Sequence, residues 1–179
     1  MMKFKTKDII FMGLAVAIIY VVGKLNFAFS RLIPIPGIST ALRAPFYAFV
    51  LAGALCYTRK SGTISMIMGV FAIIMGITIT PFSGLAIAFG GLAADLISLL
   101  FSKKYKTDKS IIISAALFPP CSLIGTVFVI KFLTIAKVHT YNSTREILIS
   151  LVITFLFSFI GSYPSVKLLK NRVNRNGVY

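Results

Sequence analysis

The sequence predicts an all-α integral membrane protein: six transmembrane helices in one domain over 1–179, with a long apolar first outer loop acting as a lid. Three observations predict it. Hydrophobic residues make up 58% of 179 positions and the mean hydropathy is +0.93. Only four acids (Asp8, Asp95, Asp108, Glu146) stand against nineteen Lys and Arg, so a soluble domain would have too few charges to cover its surface, and lipid is the solvent for much of the chain. The net charge of +15 is not a patch: the bases sit in the gaps between apolar runs, which favours anionic headgroups over nucleic acid as the partner.

At about 20 residues per bilayer crossing, the apolar runs parse into spans at 9–22, 44–57, 63–79, 85–101, 111–132 and 145–169. The second is short for a full crossing and the sixth long enough to tilt or project. Polar or turn-forming separators lie between them: "TRKSG", "TPFSG", "SKKYKTDKS" and "TIAKVHTYNST". Alternate gaps differ in charge. One side holds Lys3, Lys5, Lys7, Arg59, Lys60, Lys103, Lys104, Lys106, Lys109, Lys167, Lys170, Arg172 and Arg175; the other holds Lys24, Arg31, Arg43, Lys131, Lys137 and Arg145. By the positive-inside bias both termini are cytoplasmic. The opening "MMKFKTK" with its apolar run reads as a retained first helix, since no small-residue cleavage site follows it.

The stretch at 23–43 becomes the first outer loop. It carries Leu25, Phe27, Phe29, Leu32, Ile33, Ile35 and Ile38, too apolar to hang in water, while Pro34 and Pro36 stiffen it and Gly37 allows a reversal. It is expected to fold over the bundle as a cap, or to lie at the interface and complete the outer packing.

The residue inventory excludes several chemistries. There is no Walker A loop to cradle ATP phosphates, one histidine (His139) and no HExxH for zinc, and a single acid, Asp95, well inside a span. No metal or other cofactor is expected. Asp95 is expected to pair with an inner-end base or to cap a neighbouring helix, with proton coupling the functional alternative. Cys56 and Cys121 read as small apolar packing residues, differing in depth and lacking a CxxC. Pro119 and Pro120 should kink or break the fifth span near Phe118 and border a cavity, whereas Pro81 should end the third.

Small residues at four-residue spacing mark packing strips: Gly13 and Ala17, Ala48 and Ala52, Ala72 and Gly76, Gly90 and Ala94. At the outer mouth the reading gathers Asn26, Phe27, Phe29, Arg43, Tyr47, Phe82, Lys131, His139, Tyr141, Asn142 and Glu146 as substrate-binding candidates, with Arg31, Phe46, Ser83 and Arg145 near them. Aromatic walls with a few polar groups are what a small-molecule pocket needs, although aromatics also form interfacial belts. Bases outnumber the one acid there, which favours an anionic ligand.

With its length, six spans, inward termini, apolar first loop and small-residue first helix, the chain resembles the substrate-binding S components of energy-coupling factor (ECF) transporters. The order of "PG" in the first loop, "LAGAL" at 51–55, a short basic turn with glycine and "GGLAADLI" in the fourth span is similar to these proteins. The resemblance implies a binding subunit of the bacterial cell membrane, not an enzyme. Such a subunit captures a vitamin-like compound at its outer face and docks on a membrane coupling protein with two cytoplasmic ATPases. In that family an AxxxA strip on the first helix meets the coupling protein, and the matching positions here are Gly13 and Ala17. The family's metal-transporting branch has an N-terminal histidine that this chain lacks, and an acid suited to cationic thiamine is missing from the third outer loop. The alternatives are a small membrane enzyme acting on lipid or isoprenoid through Asp95 or His139, and a structural subunit without ligand.

Overall fold

A computed structural model describes residues 4–30, 38–101, 105, 107–133 and 144–175. Among these there are six helices and no strand: α1 (Thr6–Ser30), α2 (Ile38–Thr58), α3 (Thr63–Thr78), α4 (Pro81–Phe101), α5 (Asp108–Leu133) and α6 (Thr144–Arg175). All but α3 are long and apolar enough to cross a membrane. Packed neighbours run α1, α2, α6, α5, α4, α3 and back to α1, and α2 also touches α5 across the middle.

The boundaries correct the sequence reading in four places. The first outer loop is much shorter than 23–43: α1 continues through Ser30 and α2 begins at Ile38. Any lid at 31–37 lies outside the described residues. The short element is α3, not the second; at a rise of about 1.5 Å per residue its 16 residues span roughly 24 Å. Pro81 does not end α3 but is the first residue of α4, where its missing N–H has no intrahelical partner to lose. Thr80 precedes it as the cap, its Oγ1 accepting from the Ser83 backbone N–H at 3.3 Å. Finally, α5 is one helix through Pro119 and Pro120, so the pair does not break it.

The packing is inverted relative to a soluble bundle. The core joins Ile19, Leu51, Ile67, Phe71 and Phe118, yet Ile77 and Leu100 are more than four-fifths exposed. α6 carries the inversion furthest. It buries Thr154, Ser158, Ser162 and Ser165 at successive turns and exposes Leu148, Ile149, Val152, Leu156 and Ile160. Small hydroxyl residues on a buried face let backbones approach and cross-bond where lipid covers the other side. The Ser165 hydroxyl accordingly donates to the Phe49 carbonyl of α2 at 2.8 Å. One stripe up, α6 abuts α2 so closely that a Cβ on Gly161 would overlap the Pro45 carbonyl. Cys56 and Cys121 are both free thiols, half-buried and buried, as packing residues would be.

Candidate functional site

Three turns define the two ends of the bundle. At one end α1 begins, α2 turns into α3, and α4 hands over to α5. There Thr58 and Thr63 share a hydroxyl hydrogen bond of 3.0 Å across the α2–α3 turn, and Arg59 and Gly62 take positive φ. Two of the chain's acids are used here to hold helix starts. Asp8 accepts from the Lys5 backbone N–H at 2.9 Å and from Lys60 Nζ at 2.7 Å. Asp95, buried on α4, accepts from the Ser65 backbone N–H at 2.7 Å and from the Tyr105 hydroxyl at 2.7 Å. Ser65 is the third residue of α3, so the carboxylate caps that helix from a neighbour, where an anion offsets the unpaired N–H groups and the helix dipole. Burial, and then the adjacent carboxylate that accepts its proton, push the Tyr105 phenol above its ordinary range. The capping alternative for Asp95 thus matches its geometry. Asp108 and Glu146 sit in the first turns of α5 and α6.

The opposite end contains a cavity of about 370 Å³. It lies where α2 and α4 start and α3 and α5 finish, and it reaches inward along α5 from Val129 to Phe118. Eleven helical steps at about 1.5 Å each make this roughly 16 Å deep. Its inner wall is aromatic: the Tyr47 ring meets Phe71 edge-on at 6.1 Å and Phe118 at 6.5 Å. Hydroxyls come from Thr40 and Tyr47 on α2, Thr80 and Ser83 at the α3–α4 turn, and Ser122 and Thr126 on α5. Three of these are already engaged locally: Thr126 donates to the Ser122 carbonyl at 2.9 Å, Ser83 donates to the Thr80 carbonyl at 2.7 Å, and Thr80 accepts from the Ser83 backbone N–H at 3.3 Å. Arg43 is the only charged side chain among the described lining residues. An apolar chamber of this size with a few convergent polar groups suits a small molecule, and a guanidinium as the one charged group among the described lining residues suits an anion or a strong hydrogen-bond acceptor.

Of the residues expected at the mouth, Arg43, Tyr47 and Phe82 come together in this cavity. Lys131 and Glu146 are exposed and are not among its lining residues. Asn26, Phe27 and Phe29 belong to the last turns of α1, with side chains outside the described set, and His139, Tyr141 and Asn142 lie wholly outside it. Gly13 and Ala17 are exposed on the outward face of α1, and a Cβ on Gly13 would meet nothing within 4 Å. Sequence reasoning missed Thr40, Met75, Ser122 and Thr126. The α5 contribution (Phe118, Pro119, Ser122, Leu123, Thr126) does recur with helical spacing, a stripe that begins at the proline pair flagged as a cavity border.

Among the described residues, no cluster of His, Cys, Asp and Glu could hold a metal ion. Compared with protein-family models, curated proteins and solved structures, the chain matches none.

Proposed function

We propose that the chain is the substrate-specificity subunit of an ECF-type importer, capturing a small anionic, vitamin-like compound in the cavity beside Arg43. The observation that carries this reading is the cavity itself: mostly apolar, walled by Tyr47 and Phe118, and holding one cation and no acid among its described lining residues. In this reading all six helices lie in the bacterial cell membrane, with α3 accommodated by local thinning or by its flanking turns. The cavity end is the less basic one, so positive-inside bias makes it the outer face and puts both termini in the cytoplasm. Uptake would then depend on a membrane coupling protein docking at Gly13 and Ala17, and on two ATPases supplying the hydrolysis for which this chain has no Walker loop.

The test is to purify the chain from a vitamin-replete host, denature it and identify the released small molecules by mass spectrometry. One stoichiometric metabolite bearing a carboxylate or phosphate is expected. Arg43→Gln should lower its retention roughly 10- to 100-fold, the range for losing a hydrogen bond to a charged group. Release of lipid alone, or a metabolite whose retention ignores Arg43, would sink the reading.

A further inference from the structure

Gly23 is buried in the interior of α1, away from any turn. Glycine is among the poorest residues for a helix interior, so its place there calls for a neighbour that needs the space. That neighbour is Tyr47. A Cβ on Gly23 would stand 2.8 Å from the Tyr47 hydroxyl oxygen and 3.9 Å from its Cζ, with the Phe71 ring at 4.0 Å. The hydroxyl therefore rests in the notch left by the missing side chain.

Tyr47 is also a wall of the Arg43 cavity, whereas Gly23 and Phe71 are not among its lining residues. The ring thus forms a partition, with Gly23 and Phe71 behind it and the chamber and Phe118 in front. Among the described residues no hydrogen bond fixes the hydroxyl, so contact sets how far back the ring lies. We propose that Gly23 is a positioning residue for ligand selection: by seating the Tyr47 hydroxyl against α1, it keeps the inner end of the cavity open to the apolar end of an anionic ligand.

The order of groups along α2 gives the ligand its direction. The helix starts at the mouth, so Arg43 lies one turn, about 6 Å, nearer the mouth than Tyr47. An anionic group held at Arg43 leaves the remainder pointing at the Tyr47–Phe118 wall, whose position then limits its length. A side chain at Gly23 can only push that wall forward. Behind the ring Phe71 is 1% exposed and already in edge contact; in front is the chamber. Since what must move is the far end of a side chain and not backbone, the fold should tolerate the change while the cavity shortens.

The role in ligand selection rests on the capture reading, but the seat does not, and a thiol probe tests it without the ligand. In a chain with Cys56 and Cys121 replaced by alanine, Ser122→Cys places a thiol on the cavity wall one turn from Phe118, and Thr126→Cys places one a turn nearer the mouth. Detergent-solubilised protein is treated with methyl or benzyl methanethiosulfonate, and the benzyl-to-methyl rate ratio at each site reports room, independent of thiol reactivity. At the usual cost of forcing a methyl into a packed site, Gly23→Ala should lower the ratio at Ser122→Cys about tenfold, and Gly23→Val should lower it further. The ratio at Thr126→Cys should hold in both. G23A/Y47F removes the oxygen that the new methyl meets and leaves that methyl 3.9 Å from Cζ, so it should return the ratio to the wild-type value. An unchanged ratio in Gly23→Ala, no recovery in G23A/Y47F, or an equal fall at Thr126→Cys would overturn the proposal. Should Gly23→Val fail to fold, Gly23→Ala and its rescue decide alone. The metabolite released from the wild-type chain should be retained less by Gly23→Ala; retention that ignores a lowered thiol ratio would overturn the selection role. Release of no metabolite would sink the capture reading together with that role, and is told apart from failure of the seat because the thiol ratio is read without ligand.

Discussion

At the scale of single residues, Asp95 separates structure from chemistry. Its carboxylate accepts from the Ser65 N–H and the Tyr105 hydroxyl, and charge-assisted bonds of this kind contribute roughly 1.5–3 kcal/mol each. Asp95→Ala leaves a helix-start N–H and a buried phenol without that acceptor, so we expect a loss of at least about 2 kcal/mol in stability. Asp95→Asn keeps one acceptor, and the Tyr105 hydroxyl can rotate to accept from the new amide. It should therefore cost less, and thermal unfolding in detergent compares the two variants directly. Metabolite retained per folded molecule should stay at the wild-type level in both. If Asp95→Asn leaves the fold intact but abolishes uptake, Asp95 carries a proton and the capping role is incomplete.

At the scale of helices, glycine does two different jobs, and sequence spacing alone does not separate them. Gly13 was legible as part of a small-residue strip, and its Cβ position is open. Gly161 was not singled out, although a side chain there would collide with the Pro45 backbone. The reason is that a close approach is a property of two helices, and α2 and α6 are far apart in the chain. Gly161→Ala should force these helices apart and destabilise the protein by about 1–3 kcal/mol, the usual range for overpacking. Gly13→Leu should leave the unfolding midpoint within error of wild type while abolishing coupled uptake and sparing ligand retention. Uptake that survives Gly13→Leu would remove this strip from the coupling contact; a large loss of stability would mean that α1 is packed there. Helix ends follow the same logic. The "TPFSG" turn was legible, but whether Pro81 closed α3 or opened α4 depended on Thr80 capping Ser83, a contact of 3.3 Å that hydropathy does not encode.

At the scale of the whole molecule, six helical segments were legible because each apolar run is bounded by charge or turn residues, and their pattern survives errors at the ends. The cavity was legible only in part. Arg43, Tyr47 and Phe82 stand out as polar or aromatic near a helix end, whereas Thr40, Ser122 and Thr126 look like ordinary small residues until α2 and α5 face each other across the chamber. Which side that chamber faces is the remaining step from fold to function. Arg59 and Thr80 lie in turns at opposite ends of the bundle, so they report it directly. With Cys56 and Cys121 replaced by alanine, Thr80→Cys should react with a membrane-impermeant thiol reagent on intact cells. Arg59→Cys should react only after permeabilisation. Positive-inside bias predicts this order because the thirteen Lys and Arg assigned to the Arg59 side outnumber the six on the other. The reverse order would turn the Arg43 cavity toward the cytoplasm. An inward cavity could not load from outside, so capture for import would fall even if the ligand were found there.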